Sequence, residues 1–185
     1  MLKLGKNTAL VVIDVQKGFD SKKWGTRNNP QAEEQISRLL SEWRRREYPV
    51  IHTQHLSVNP ESPLYPGQDG AEIKDIAAPR AGEAVFQKNV NSAFIGTGLE
   101  EYLRENDIDT LIITGLITPH CVSTTARMSG NLGFSTFVVS DAAASFDITS
   151  HDGTHYTADQ IHQTSLAALH EEFATILTTD EIIGE

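Results

Sequence analysis

One cysteine, Cys121, stands in the 185 residues. A single thiol cannot close an internal disulfide, so the chain makes no demand for an oxidising compartment, and a reducing cytoplasm is its expected setting. Positive charge is also scarce: 15 Lys and Arg face 25 Asp and Glu, a formal net charge of -10 at pH 7. That balance argues against unspecific binding to nucleic acid or to an anionic membrane. No apolar run approaches the roughly 20 residues that span a bilayer. The opening stretch "MLKLGKNTALVVIDVQ" breaks its apolar run at Asp14 and has no small-residue cleavage site, so no signal peptide is expected. Internal repeats and low-complexity segments are absent. The length fits one domain, residues 1–185, which can bury roughly 70% of its unfolded surface and needs no disulfide or structural metal.

Apolar runs alternate with helical patterns. Strands are predicted at residues 8–15, 49–56, 83–88, 109–115, 135–142 and 175–183. The first, "TALVVIDV", is continuous rather than alternating, as expected of a strand covered on both faces. Helical spacing occupies residues 29–48, 98–107, 120–133 and 158–174. In the first of these Ile36, Leu39, Leu40 and Trp43 share a face, and Pro30 stands near the start. Residues 57–80 hold four prolines and two glycines and read as a long surface excursion, a kind of segment that is often functional. The resulting β-α-β-β-α-β-α-β-α-β order argues an α/β fold: a three-layer αβα, Rossmann-like domain with a mostly parallel six-stranded sheet. Right-handed crossovers put helices on both faces. Ligands of such sheets bind beyond the carboxyl ends of the strands, which directs attention to residues 14–19, 54–57, 88–94, 115–121 and 141–146.

Three polar residues stand out there. Cys121 opens a predicted helix just past a strand. Most cysteines are small buried hydrophobes. At a helix N-terminus, however, unpaired N–H groups and the positive dipole end favour the thiolate, lower the thiol pKa and supply a nucleophile. N–H groups of the same turn can receive the oxyanion formed when a carbonyl is attacked. Asp14 follows the apolar run "ALVVI" and is suited to take the thiol proton and return it to a leaving group. Lys88 ends "AVFQK", where a cation favours the ionised forms of both partners. Taken singly, a carboxylate caps loops and a lysine is solvated. At three separate strand ends they form an Asp–Lys–Cys constellation.

The blocks "VIDVQKGF", "FQKNVNSAF" and "GLITPHCVSTTAR" resemble the signatures of the isochorismatase-like cysteine hydrolases, a superfamily with nicotinamidases, carbamoylsarcosine-type amidohydrolases and ureidoacrylate-type amidases. The resemblance covers residues 8–182. It implies an Asp14–Lys88–Cys121 triad, a non-proline cis peptide between Leu116 and Ile117, and an oxyanion hole made by the N–H groups of Ile117 and Cys121. One branch of the superfamily cleaves the vinyl ether of isochorismate without using the cysteine. The presence of Cys121 therefore favours thiol-dependent hydrolysis of a C–N bond in a small amide, ureide or carbamoyl compound, through a thioester. Ether or ester hydrolysis on the same scaffold is the second reading, and a non-catalytic oligomeric module with a relic pocket the third. By resemblance a homodimer or homotetramer is expected, with a small-molecule substrate and no cofactor.

Seven histidines raise the question of a metal. His52 and His55 lie three apart on a predicted strand and so point to opposite faces. Metal-binding nicotinamidases carry Asp-x-His after the strand threonine; here the two positions are His55 and Ser57, so no metal is expected. His151 and His155 are expected to be solvated or to form a rim around the substrate, and His162 and His170 to lie at the surface or in packing. Gln16, Phe19, Trp24, Gln54, His120 and Phe146, at or near strand ends, are the candidates for the substrate pocket, with Arg27 as a further wall or interface residue.

Overall fold

The computed structural model describes residues 4–184. Strand β1 (Thr8–Ile13) is buried throughout, and helix α1 (Ala32–Arg46) follows it after two short 3₁₀ turns. Then come β2 (Val50–His55), β3 (Ala84–Lys88), α2 (Leu99–Glu105), β4 (Thr110–Leu116), α3 (Ser123–Asn131) and β5 (Ser135–Ala144). A two-residue ribbon, β6 (Ile148–Thr149) with β7 (His155–Tyr156), precedes α4 (Ala158–Ala167), β8 (Thr175–Leu177) and α5 (Thr179–Ile183). The main sheet has six strands in the order β3-β2-β1-β4-β5-β8, every neighbouring pair parallel.

The continuous apolar strands are explained by helices on both faces. Successive side chains of a strand point to opposite sides. Leu10 and Val12 pack with Ile36, Leu39, Leu40 and Trp43 of α1. Ala9, Val11 and Ile13 pack with Leu99 and Leu103 of α2, Ala126 of α3 and Leu166 of α4. Arg44, Arg45 and Arg46 occupy the last turn of α1, where the helix dipole favours cations. Among the described residues no helix is long and apolar enough to cross a membrane.

Two expectations are corrected. Residues 175–183 are not one strand: β8 ends at Leu177, and Thr178 and Glu181 form a reciprocal capping box that starts α5. Nor does the last long helix reach residue 174. It stops at Ala167; the N–H groups of Phe173 and Ala174 return to the Leu169 carbonyl at 3.0 Å, and Glu171 takes a left-handed φ of 65°.

The excursion at residues 57–80 is stitched to the segment that follows β1. Lys17 N–H donates to the Glu72 carbonyl at 2.9 Å and Lys74 N–H to the Val15 carbonyl at 2.8 Å. Lys74 Nζ bridges Asp20 and Glu33 at 2.6 and 2.8 Å. A side chain at position 70 would find no room, because a Cβ there would lie 2.1 Å from the Pro63 carbonyl oxygen and 3.0 Å from Gly18 Cα in the segment after β1. Glycine lets the two segments touch, and together they wall the region beyond the strand ends.

Candidate active site

Asp14 sits one residue past β1 in a left-handed turn, φ 47°, a conformation Asp tolerates better than most residues. Its N–H donates to the Thr53 carbonyl at 3.2 Å, tying it to the neighbouring strand. One carboxylate oxygen accepts from the Thr53 hydroxyl at 2.6 Å, the other from Lys88 Nζ at 2.6 Å. Both side chains of this ion pair are fully buried. Lys88 is the last residue of β3 and also donates to the Val90 carbonyl at 3.1 Å. His55 Nδ1 lies 3.4 Å from the same ammonium.

Cys121 closes the group from the third strand end. The chain leaves β4 through a cis peptide between Leu116 and Ile117 and makes a π-helical turn over Thr118–Val122 before α3 begins. The N–H of Val122 reaches back to the Ile117 carbonyl at 3.3 Å. The sulfur therefore lies in a widened turn ahead of the helix, not in its first turn. The Cys121 thiol faces Asn91 Oδ1 at 3.7 Å. Ligand atoms of Asp14, His55 and Cys121 all lie within 4.8 Å of one another.

The electrostatics correct a second expectation. Burial pushes the Cys121 thiol pKa up, the Asp14 charge adds to the rise, and Lys88 opposes both. The rise disfavours the thiolate, so nucleophilic use of the sulfur would call for a base, and Asp14 has a carboxylate oxygen within 4.8 Å. Burial also holds His55 below the ordinary imidazole range, helped by the charge of Lys88, so the ring is neutral near pH 7.

Cys121 opens onto a cavity of about 190 Å³ lined by Phe19, Trp24, His55, Ser57, Ser62, Leu64, Asn91, Ile117 and His120. Of the residues expected in the pocket, Phe19, Trp24 and His120 line this cavity. Gln16 and Gln54 do not. Gln16 is fully buried and spends its amide on the backbone, donating to the His55 and Ala71 carbonyls at 2.9 and 2.8 Å. Gln54 donates to the Ala71 carbonyl at 2.8 Å and accepts from Gln87 at 3.0 Å. Phe146 stands behind the cavity wall, its ring centre 6.4 Å from Phe19 and 6.0 Å from Trp24. Arg27 is held by Glu33 through two bonds of 2.7 and 2.6 Å. His151 and His155 are exposed on the small ribbon and its turn.

Asn91, Ser62 and Leu64 were missed as individual residues, although Asn91 falls within the strand-end segment 88–94. Of the two settings expected for His162, surface or packing, the structure shows the second: the residue is buried and makes polar contacts on both ring nitrogens. Its Nδ1 lies 2.8 Å from the Thr118 hydroxyl, beside Ile117. Its Nε2 lies 3.4 Å from the Asn29 amide nitrogen, which itself donates to the Ser140 and Ala143 carbonyls.

The polar set does not fit a metal. Asp14, His55 and Cys121 are the one cluster of ligand-type groups found among the described residues, and the ammonium of Lys88 stands among them, 2.6 Å from Asp14 and 3.4 Å from His55. A resident cation already fills the place, and a second at that distance would meet it unscreened.

The isochorismatase domain model matches residues 8–181. An uncharacterized isochorismatase family protein of Bacillus subtilis, YrdC, is 55% identical over 177 residues, covering 96% of this chain and 95% of its own. A crystal structure of an isochorismatase-family protein from Chromobacterium violaceum superposes with a TM-score of 0.95 at 41% identity, covering 100% of this chain and 95% of that one. Nicotinamidase 3 of Arabidopsis thaliana is 30% identical over 162 residues, covering 80% of this chain and 79% of its own.

Proposed function

Because this chain belongs to the isochorismatase family of hydrolases, we propose that it hydrolyses a C–N bond of a small uncharged amide, ureide or carbamoyl compound, with Cys121 as the nucleophile. The observation that carries this reading is a thiol that lines the cavity, with a carboxylate within 4.8 Å of it and a lysine paired to that carboxylate behind the lining. The kinship to a nicotinamidase supports C–N rather than ether cleavage. Lack of charge in the substrate follows from the lining. Among the described residues it contains no Lys, Arg, Asp or Glu, and the buried Lys88 and Asp14 satisfy each other. A charged substrate group would lose its hydration without gaining a partner.

The proposed course balances as follows. Asp14 takes the thiol proton as the sulfur attacks the carbonyl carbon. The tetrahedral oxyanion is received by the N–H groups of Ile117 and Cys121. The C–N bond breaks, and ammonia or an amine departs with the proton from Asp14. Water then gives a proton to Asp14 and attacks the thioester. Collapse releases the acid and the thiolate, which recovers its proton from Asp14. Throughout, Lys88 keeps a positive charge beside both anionic forms.

An ammonia-release screen over neutral primary amides and ureides, with Cys121→Ala as the blank, tests the reading. The expected result is turnover in the native protein and loss of at least a thousandfold in the variant, the scale seen when a nucleophile is removed. Equal rates in the two proteins would end the covalent mechanism.

A further inference from the structure

An ammonium has three N–H bonds to give and no lone pair. Around Lys88 Nζ stand three acceptors: Asp14 Oδ2 at 2.6 Å, the Val90 carbonyl at 3.1 Å and His55 Nδ1 at 3.4 Å. Facing a pure donor, Nδ1 takes the accepting role, and the proton of the neutral ring resides on Nε2. The backbone of His55 is itself pinned. Its N–H donates to Gln16 Oε1 at 2.8 Å, and its carbonyl accepts from Gln16 Nε2 at 2.9 Å. A buried glutamine thus fixes the residue whose ring meets the lysine.

Resting on the thiol-hydrolase reading above, we propose that His55 is a positioning residue, whose neutral imidazole closes the third hydrogen bond of Lys88 and holds the ammonium against Asp14 beside Cys121. Without that acceptor Lys88 loses one of the partners that fix its direction. The flexible stem can then swing toward the adjoining depression of about 470 Å³ that Lys88 also lines. The thiolate form of Cys121 would lose the cation that favours it. The charged or titratable groups that face His55 are Lys88 at the end of β3, Asp14 past β1, and Cys121 with His120 in the turn before α3. Of these only Asp14 is an acid, and Lys88 already occupies it.

Alkylation of Cys121 by iodoacetamide gives a direct readout, because this is the only cysteine in the chain. His55→Leu and His55→Ala delete the acceptor at two different volumes. His55→Asn keeps a side-chain oxygen near the place of Nδ1. With folding of each variant checked by urea unfolding, the apparent thiol pKa in the Leu and Ala variants is expected to rise by about one unit, a tenfold loss of alkylation rate below it. The Asn variant is expected to stay within about threefold of the native rate, by the same relation. On an amide substrate, kcat should fall in the Leu and Ala variants and recover in the Asn variant. If Leu does not fold, Ala decides. Native alkylation in the acceptor-free variants, or equal loss in all three, would overturn the proposal. Turnover surviving in Cys121→Ala would instead remove the thiol-hydrolase reading, and alkylation would still report on the His55–Lys88 contact.

Discussion

Replacing Gly115 by alanine tests how tightly the sheet dictates the site. Gly115 lies in β4 opposite Ile13 of β1, at the bulge where the β4–β5 register shifts. A Cβ at this position would stand 2.0 Å from the Ile13 carbonyl oxygen and 2.7 Å from its nitrogen. Both are backbone atoms, so no side-chain rotation relieves the overlap, and β1 would have to retreat by about 1 Å to restore even the closest contact real Cβ atoms show. The φ of 117° adds a conformational cost. A strained backbone conformation costs about 1–3 kcal/mol and overpacking about 1–3 kcal/mol, so the substitution should cost roughly 2–6 kcal/mol. Typical stabilities are about 5–15 kcal/mol. With a urea slope of about 2 kcal/mol/M, the unfolding midpoint should fall by roughly 1–3 M. Gly133→Ala is the control: φ there is 86° and nothing lies within 4 Å of the new Cβ, leaving only the left-handed penalty of about 1–2 kcal/mol. A Gly115→Ala midpoint within about 0.5 M of the control would refute the reasoning. Activity should fall as well, because Asp14 follows Ile13 and Ile117 lies two residues beyond the glycine.

Other outcomes follow from the buried charges. Lys88→Met leaves the Asp14 carboxylate buried without its cation, and should destabilise the fold by about 3–5 kcal/mol. Calorimetry at pH 7 measures the loss. Glu33 is raised by burial but pulled further down by Arg27 and Lys74, to about 2. Its contribution is therefore complete above about 4.5, the ordinary value, and lost as pH falls toward 2. Glu33→Gln should cost about 2 kcal/mol near neutrality, and urea unfolding at pH 6 and pH 3 should show a smaller difference at the lower pH.

The sheet was legible in the sequence because buried parallel strands read as unbroken apolar runs, and α1 because Ile36, Leu39, Leu40 and Trp43 repeat at helical spacing. Residues 178–183 were not. Ile182 and Ile183 extend the β-rich "TIL" seamlessly, and only the Thr178–Glu181 spacing betrays a helix start. Leu169 and Phe173 likewise prolong a helical pattern that the chain abandons at Ala167. At the site, Asp14, Lys88 and Cys121 stood out as reactive side chains at strand ends. Gln16 occupied an equally suggestive place, but tertiary structure spends its amide on two carbonyls. The raised thiol pKa was hidden for a similar reason: it comes from burial, which the strand-helix pattern around Cys121 does not reveal.

Asp14, Lys88 and Cys121 sit at or just beyond the ends of strands, whereas Phe19 and Trp24 come from the connection after β1, and Ser57, Ser62 and Leu64 from the connection after β2. Under the proposed function, much of the wall that would select a substrate is housed apart from the groups that would react with it. Loops of this kind accept changes in length and composition more readily than the elements they join. Grafting another chain's residues 57–66 onto this frame would reshape the cavity wall while leaving Cys121, Asp14 and Lys88 in their original seats.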